Sequence, residues 1–468
     1  MANKKRLKKH KPKKIHSRKL VIDDLGASSF EGLSLVDLLA SRLRIWSFAR
    51  KVLPLRNGLH DRIDILKGAV AGLLSGSRGT AALEAIRQDK AVLRMMGIES
   101  LPGEKGFWED LAKLGEEETL RGMHRLCARS ARQVLRKLQP EDIQIEHGFI
   151  PLFGDGTLLE GSHRREGTKV ISEKGSGLMW GAWMFGSMLV ANHLCGEGEG
   201  EQHALLDTLG SVLHDVVDPL GFHTNALVLM DSLHGDGPTL DRLEGEKLKY
   251  IIGANKLGLV KRRLMELPES AWKKVPEKKR RKGLSDEEVC VVYVQCEGWR
   301  KKRRVVAKRF RPEGEMIWHY SGVFSSIPPR RIGCNEETEL NYMIRIWKLY
   351  DRKMGMEDQF KDLLRDLFGH HPPCRELVRN RGYYAVLALA FNLARGMDQI
   401  AGLEERRKLR RKSKRFCSRL RINTLRRHLF ALPGLIRVHS RQLIVRLIGG
   451  GRVHLEWFER WWQALARC

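Results

Sequence analysis

The chain has 468 residues, 42% of them hydrophobic and 30% charged, the balance of a globular protein with material for about three domains and a substantial core. Lys and Arg total 85 against 56 acidic residues, a formal charge of +29 and a pI near 10.0. A cationic surplus of that size, gathered in tracts, points to a polyanionic partner and away from the near-neutral balance of most cytosolic enzymes.

Residues 4–19 (KKRLKKHKPKKIHSRK) begin the chain's pattern with Lys4, Lys5, Arg6, Lys8 and Lys9. Too few apolar residues stand among them to fold alone, so residues 1–20 read as a disordered basic arm that orders on a phosphate backbone. A nuclear-localisation tract would have the same composition. No apolar stretch follows of the kind a secretory signal needs. Residues 33–138 then carry helical periodicity: Leu33, Val36, Leu39 and Leu43 share one face, and Ile63, Leu66, Val70 and Leu73 another, with breaks at Ser75–Gly79 and at Leu101-Pro102-Gly103. Residues 21–145 are therefore expected to form a helical domain; its interleaved Arg and Lys suit a DNA-binding domain and are equally typical of any surface helix, and no single recognition helix stands out.

At residues 148–160 the pattern changes to GFIPLFGDGTLLE, an apolar run ending in one carboxylate, Asp155, between two glycines. The run predicts a buried strand with Asp155 at its tip, the glycines allowing a sharp turn there. Residues 178–194 approach the length of a membrane span but contain Gly181, Gly186, Asn192 and His193, so they read as two buried strands turning near Gly186 or Ser187, with no membrane partner. A helix follows over residues 202–217. A second strand, ALVLMD at 226–231, again delivers an acid, Asp231, before a helix near 239–244 and a strand at 250–252. Either Asp alone would serve equally as a turn or helix-cap residue. The order of antiparallel strands followed by strand, helix and strand is that of a ribonuclease-H-like sheet, in which the first and fourth strands are neighbours and the two acids would meet. Residues 146–255 are taken as the first part of this α/β domain.

Residues 256–335 are β-rich, with runs EVCVVYVQ, RVVAKR and MIWHYSGVF, and read as an antiparallel β-insertion whose tip carries Lys301, Lys302 and Arg303. Trp299 and Trp318 lie in it and are expected to be packed. A long helix is predicted over residues 337–367, where Tyr350, Lys353, Glu357 and Lys361 fall on one face. A buried helix at 383–393 completes the second part of the domain, 336–400. The segment 401–468 reads as a basic helical region ending in Trp457, Phe458, Trp461 and Trp462, which would pack within the chain or form a dimer contact. The eight cysteines include no CxxC pair, and His193 with His203, or His370 with His371, lacks a supporting Cys or Asp pattern, which argues against zinc.

The combination of strand-Asp155, strand-Asp231, β-insertion and helix-Glu357 resembles the DDE transposases of bacterial insertion sequences. The likeness is to their branch with a β-insertion and a Tyr-x2-Arg-x3-Glu-x6-Lys signature. Tyr350 and Glu357 match that signature, Lys353 stands where Arg is expected, and Leu364 occupies the final Lys position, leaving Lys361 or Arg365 as the substitute cation. The resemblance implies a ribonuclease-H-like mixed α/β fold, flanked by helical N- and C-terminal regions, and cut-and-paste transposition. It makes Asp155, Asp231 and Glu357 the catalytic ligands of two Mg²⁺ ions about 3.5–4 Å apart, with Mn²⁺ as a substitute. Tyr350, Lys353, Lys361 and Arg365, with the basic arm and the insertion tip, would contact DNA. The implied partners are the element's terminal inverted repeats and target DNA, bound by a homodimer in the bacterial cytoplasm at the nucleoid. A catalytically inactive DNA-binding protein of the same fold, or a metal-dependent nuclease, is the alternative.

Overall fold

The computed structural model describes residues 27–468 except 57, 80, 163, 172–174, 255–257, 335–338, 404–419, 440–441 and 449–451. The arm with Lys4, Lys5, Arg6, Lys8 and Lys9, and most of the C-terminal Arg/Lys tract, lie outside the described residues. The strands are β1 (Ala27–Ser28), β2 (Ile150–Glu160), β3 (Lys169–Ile171), β4 (Gly175–Phe185), β5 (Met188–Leu194), β6 (Ala226–Met230), β7 (Lys249–Gly253), β8 (Lys273–Lys274), β9 (Leu284–Val294), β10 (Arg303–Pro312), β11 (His319–Ser325), β12 (Gly434–His439) and β13 (Gln442–Leu447).

One ten-stranded sheet runs β3-β4-β2-β6-β7-β11-β10-β9-β8, with β5 also paired to β4. Its core is the predicted ribonuclease-H-like order: β5, β4 and β2 are antiparallel, and β6 and β7 continue parallel to β2. The turn between β4 and β5 falls at Gly186, whose positive φ of 61° suits glycine. β6 is buried at every position, which is why its sequence is a continuous apolar run rather than an alternating one. The β-rich segment extends this same sheet: β11 pairs antiparallel with β7, matching Val323 to Gly253, so the ladder groups on the edge of β7 are satisfied rather than left open.

The helices preceding the sheet are α1 (Ser34–Arg42), α2 (Ile45–Val52), α3 (Arg62–Ser75), α4 (Ala81–Arg87), α5 (Lys90–Met95), α6 (Glu104–Gly115), α7 (Glu117–Leu135) and α8 (Pro140–Ile143). Within and after it come α9 (Glu201–Val212), α10 (Gly237–Gly245), α11 (Gly258–Met265), α12 (Glu339–Tyr350), α13 (Met354–Lys361) and α14 (Leu377–Ala401). α14 is apolar on nearly all sides and buried along most of its length, the signature of a central helix. It crosses α6 where Gly382 meets Gly115: a Cβ on Gly115 would lie 1.7 Å from the Val378 carbonyl oxygen, and one on Gly382 2.1 Å from that of Leu111. No side chain fits at that crossing. Among the described residues no helix is long and apolar enough to cross a membrane.

Two elements differ from the sequence reading. The single helix expected over 337–367 is interrupted: α12 gives way to a 3₁₀ turn at Asp351–Lys353, then α13, then a π-helical turn at Asp362–Asp366. The wide turn points Asp362 inward, where Arg395 binds it. The C-terminal region is not wholly helical either. β12 and β13 form a hairpin joined by β1, because LIRV and LIVRL place branched residues at the period of a strand. The last helix, Arg452–Ala466, buries Phe458, Trp461 and Leu465 and packs on α1 and α14, so its aromatic residues serve the intramolecular core.

Glu31 lies where the N-terminal segment meets this hairpin. It is fully buried, and neither carboxylate oxygen has a hydrogen-bond partner among the described residues. Burial, with the charge of Asp89 adding, pushes its pKa from 4.5 up to about 7. A carboxyl raised on folding favours the native state when protonated, so its contribution is greatest below pH 4.5 and is lost as pH rises to about 7. That loss amounts to about 3 kcal/mol. Glu31→Gln is expected to flatten unfolding stability between pH 5 and 7, measured by urea titration at each pH. An unaltered slope would mean that another group sets it.

Candidate active site

The parallel ladder between β2 and β6 ends with Phe153 opposite Leu229. Two residues further along each chain stand Asp155 and Asp231, so the register that buries the apolar runs also sets the two acids side by side. Asp155 is not at a strand tip. Pairing with β4 continues through it, opposite Ala182, as far as Glu160. Gly154 accordingly serves close packing rather than a turn: a Cβ there would approach Trp183 to 2.7 Å and Met230 to 2.8 Å.

Asp231 caps the 3₁₀ turn Ser232–His234, accepting the Leu233 N–H at 2.8 Å. The turn brings back the buried ring of His234, whose Nε2 lies 3.8 Å from Asp231 Oδ1. One donor atom each from Asp155, Asp231 and His234 falls within 4.8 Å of the others. The sequence reading passed over His234. Its signal was the Asp-x2-His spacing, which in a tight turn returns the third residue to the first.

Lys353 reaches this cluster from the 3₁₀ turn between α12 and α13, its Nζ 2.8 Å from Asp155 Oδ2, while the Gly156 N–H donates to Oδ1 at 3.0 Å. Burial raises the Asp155 pKa; Lys353 and the amide pull it down, Asp231 pushes it up, and the net shift is upward. Tyr350 stands on the other side, its hydroxyl packed where a Cβ on Gly253 would come within 2.8 Å. Burial and the charges of Asp231 and Asp155 raise that phenol far above its usual range, which keeps it a hydrogen-bond donor.

Glu357 is exposed on α13, one turn beyond Lys353, and does not belong to the close group of three. Lys361 is exposed and pairs with Asp358, and Arg365 is exposed on the π-helical turn. Leu364 is buried. A cleft of about 330 Å³, lined in part by Phe153, Ser187, Arg352, Lys361 and Arg421, takes in none of Asp155, Asp231, His234, Tyr350, Lys353 and Glu357.

At the insertion tip the three cations separate. Lys302 is exposed, and Lys301 reaches Glu244 at 3.0 Å. Arg303 is not available to DNA: it is 3% exposed, bound by Asp241 and Glu244 of α10, and stacked on Trp299. As the first residue of β10 it points into the α10 packing face, and the acids that neutralise it stand some sixty positions earlier. Trp318 is covered by Arg309 and Arg311.

Two facing carboxylates and an imidazole nitrogen are a donor set that a divalent cation fits. The ammonium held by Asp155 shows that the same place already favours positive charge.

The chain matches the family model described as transposase DDE domain group 1 over residues 184–467, more than half its length. That span takes in Asp231 and Glu357 and begins downstream of Asp155. No curated protein matches. A cryo-EM structure of a piggyBac transposase synaptic complex with hairpin DNA aligns at 13% identity over 86% of this chain and 79% of its own, with a TM-score of 0.38. That likeness is too loose to carry an argument.

Proposed function

The chain belongs to the DDE transposases, and from that premise we propose that it is the transposase of an insertion sequence, cutting the element out at its terminal inverted repeats and joining the freed 3′-OH ends to target DNA. The observation that supports this reading is the juxtaposition of Asp155 and Asp231 just past the paired part of β2 and β6, with Tyr350 and Lys353 near them. Asp155 and Asp231 would hold Mg²⁺ or Mn²⁺, with Glu357 completing the set, and His234 lies within reach of the same place. Bound there, the metal supplies the charge that activates the attacking oxygen and steadies the leaving 3′ oxygen.

The chain's own residues do the positioning. Lys353 is the cation paired with Asp155, placed to pass from that carboxylate to a phosphate oxygen of the scissile strand. Tyr350, kept protonated, donates a hydrogen bond to the same strand. Exposed Lys302, Lys361 and Arg365, with the basic arm, bind the flanking backbone, and two copies hold the two ends. The site of action is the compartment that contains the element's DNA, the bacterial cytoplasm.

A second reading, DNA binding without catalysis, is favoured by the position of Glu357 outside the close cluster and by buried Leu364 at the signature's lysine. Purified protein incubated with Mg²⁺ and a linear DNA carrying the element's ends separates the two. Nicking at the repeat boundaries followed by joining of the 3′ ends is expected. Binding of the repeats with no cleavage in Mg²⁺ or Mn²⁺ would leave the second reading in place.

A further inference from the structure

A second cluster of metal-ligating side chains stands apart from the acidic site, at the far end of β5. His193 is the next-to-last residue of β5, opposite Gly181 on β4. Cys195 is the first residue past the strand, two on from His193, its amide still bonded to the Met179 carbonyl, so the two side chains are fixed by the same sheet. The glycine-rich loop that comes next turns back through Gly198, at a φ of 79°. It brings Glu199 onto the pair: Glu199 Oε2 lies 2.9 Å from His193 Nε2 and accepts the Gly196 N–H at 2.7 Å. One donor atom from each of His193, Cys195 and Glu199 lies within 4.8 Å of the other two.

We propose that His193, Cys195 and Glu199 form a zinc site, separate from the acidic cluster and holding the loop before α9 against the sheet. The chemistry selects the metal. A thiolate, an imidazole and a carboxylate make a mixed S, N, O set suited to Zn²⁺, with one tetrahedral position left for water, whereas a thiolate does not suit Mg²⁺, which prefers oxygen ligands. Cys195 is fully buried, His193 half-buried and Glu199 exposed at the rim, so the site has an anchored wall and an open mouth through which an ion can enter. The outer partners are built as well. Arg381 from α14 donates to Glu199 at 3.1 Å and to the Leu194 carbonyl at 3.1 Å, orienting the carboxylate from outside as supporting groups of metal ligands do. Arg381 is thus a positioning residue.

The spacing His-x-Cys-x3-Glu contains none of the paired-cysteine patterns by which zinc sites are read from sequence. Only the strand end and the glycine turn bring the three together.

The test uses the full chain, purified without a histidine tag and stripped of metal, titrated with Zn²⁺ and with Co²⁺. One equivalent of Zn²⁺ retained after dialysis is expected, with a thiolate-to-cobalt charge-transfer band in the Co²⁺ form. Cys195→Ser should abolish the band and weaken Zn²⁺ binding at least about 100-fold, and Arg381→Ala should weaken it about 10-fold. Glu199→Gln, at an exposed position, serves as the second variant should Cys195→Ser fail to fold by circular dichroism. No retained Zn²⁺, or Zn²⁺ retained equally by the folded variants, would overturn the proposal. Transposition activity is not the readout, so this result stands or falls independently of the acidic site.

Discussion

Asp155→Asn and Asp231→Asn should each reduce cleavage at the element ends by at least about 10³-fold while leaving affinity for the repeats essentially unchanged. The loss follows from the role assigned to the two carboxylates. An amide of the same shape cannot supply the negative charge that holds a divalent ion, and the several kcal/mol of transition-state stabilisation from that ion is worth about three decades in rate. In the proposed mode, binding would be set instead by phosphate contacts of the exposed cations, which neither substitution removes.

The two variants differ in their structural side effects, and that difference is part of the test. Asn at 231 keeps an acceptor for the Leu233 N–H, so the cap survives and the unfolding midpoint should hold. Asn at 155 leaves the largely buried Lys353 ammonium without its carboxylate, so some stability is lost together with activity. Gel assays of nicking and strand transfer, filter binding and urea unfolding on the same preparations check all three. Persistent cleavage by folded Asp231→Asn would remove the acid pair from the mechanism. Glu357→Gln and His234→Ala then identify the third donor: whichever abolishes cleavage without weakening DNA binding is the residue that completes the set.

The pairing of the two acids was legible in the sequence because each closes an apolar run. An apolar run needs a polar residue to end it, and the runs of β2 and β6 each end in an Asp two residues past their last paired positions, Phe153 and Leu229, although β2 itself continues to Glu160. The turn at Gly186 was legible for a similar reason, since a run too polar for lipid and too long for one strand has to fold back. Arg303 was misread because Lys301, Lys302 and Arg303 look alike in sequence. What separates them is which one faces Asp241 and Glu244 across the sheet, and long-range pairing leaves no local trace. The C-terminal hairpin was hidden by a tract whose arginines dominate its composition. Two of those arginines prove to be structural: Arg421 binds Asp362 and Asp366, and Arg426 donates to the carbonyls of Leu73 and Leu74. Charge counting therefore overstated the number of cations free to meet DNA.

Arg395→Met is expected to destabilise the protein by about 3–5 kcal/mol. Arg395 is fully buried in α14 and sits between two carboxylates that are themselves buried, Asp362 and Asp398, while it also donates to the Leu420 carbonyl at 2.8 Å. Methionine preserves most of the volume, so the cost comes from stranding negative charge in the core rather than from a cavity. Pairing the change with Asp362→Asn and Asp398→Asn should recover most of the loss, because a neutral set of similar shape needs no counter-charge. Urea unfolding of the single and triple variants measures both quantities, and a triple variant no more stable than the single one would show that packing, not charge, is responsible. The consequence reaches the active site. Asp362 directly follows α13, so Arg395 is the buried anchor that fixes the segment bearing Lys353 and Glu357 against α14. The single variant, assayed at a temperature where it remains folded, should therefore also lose cleavage about 10-fold through misplacement of that segment, whereas the neutral triple should regain it.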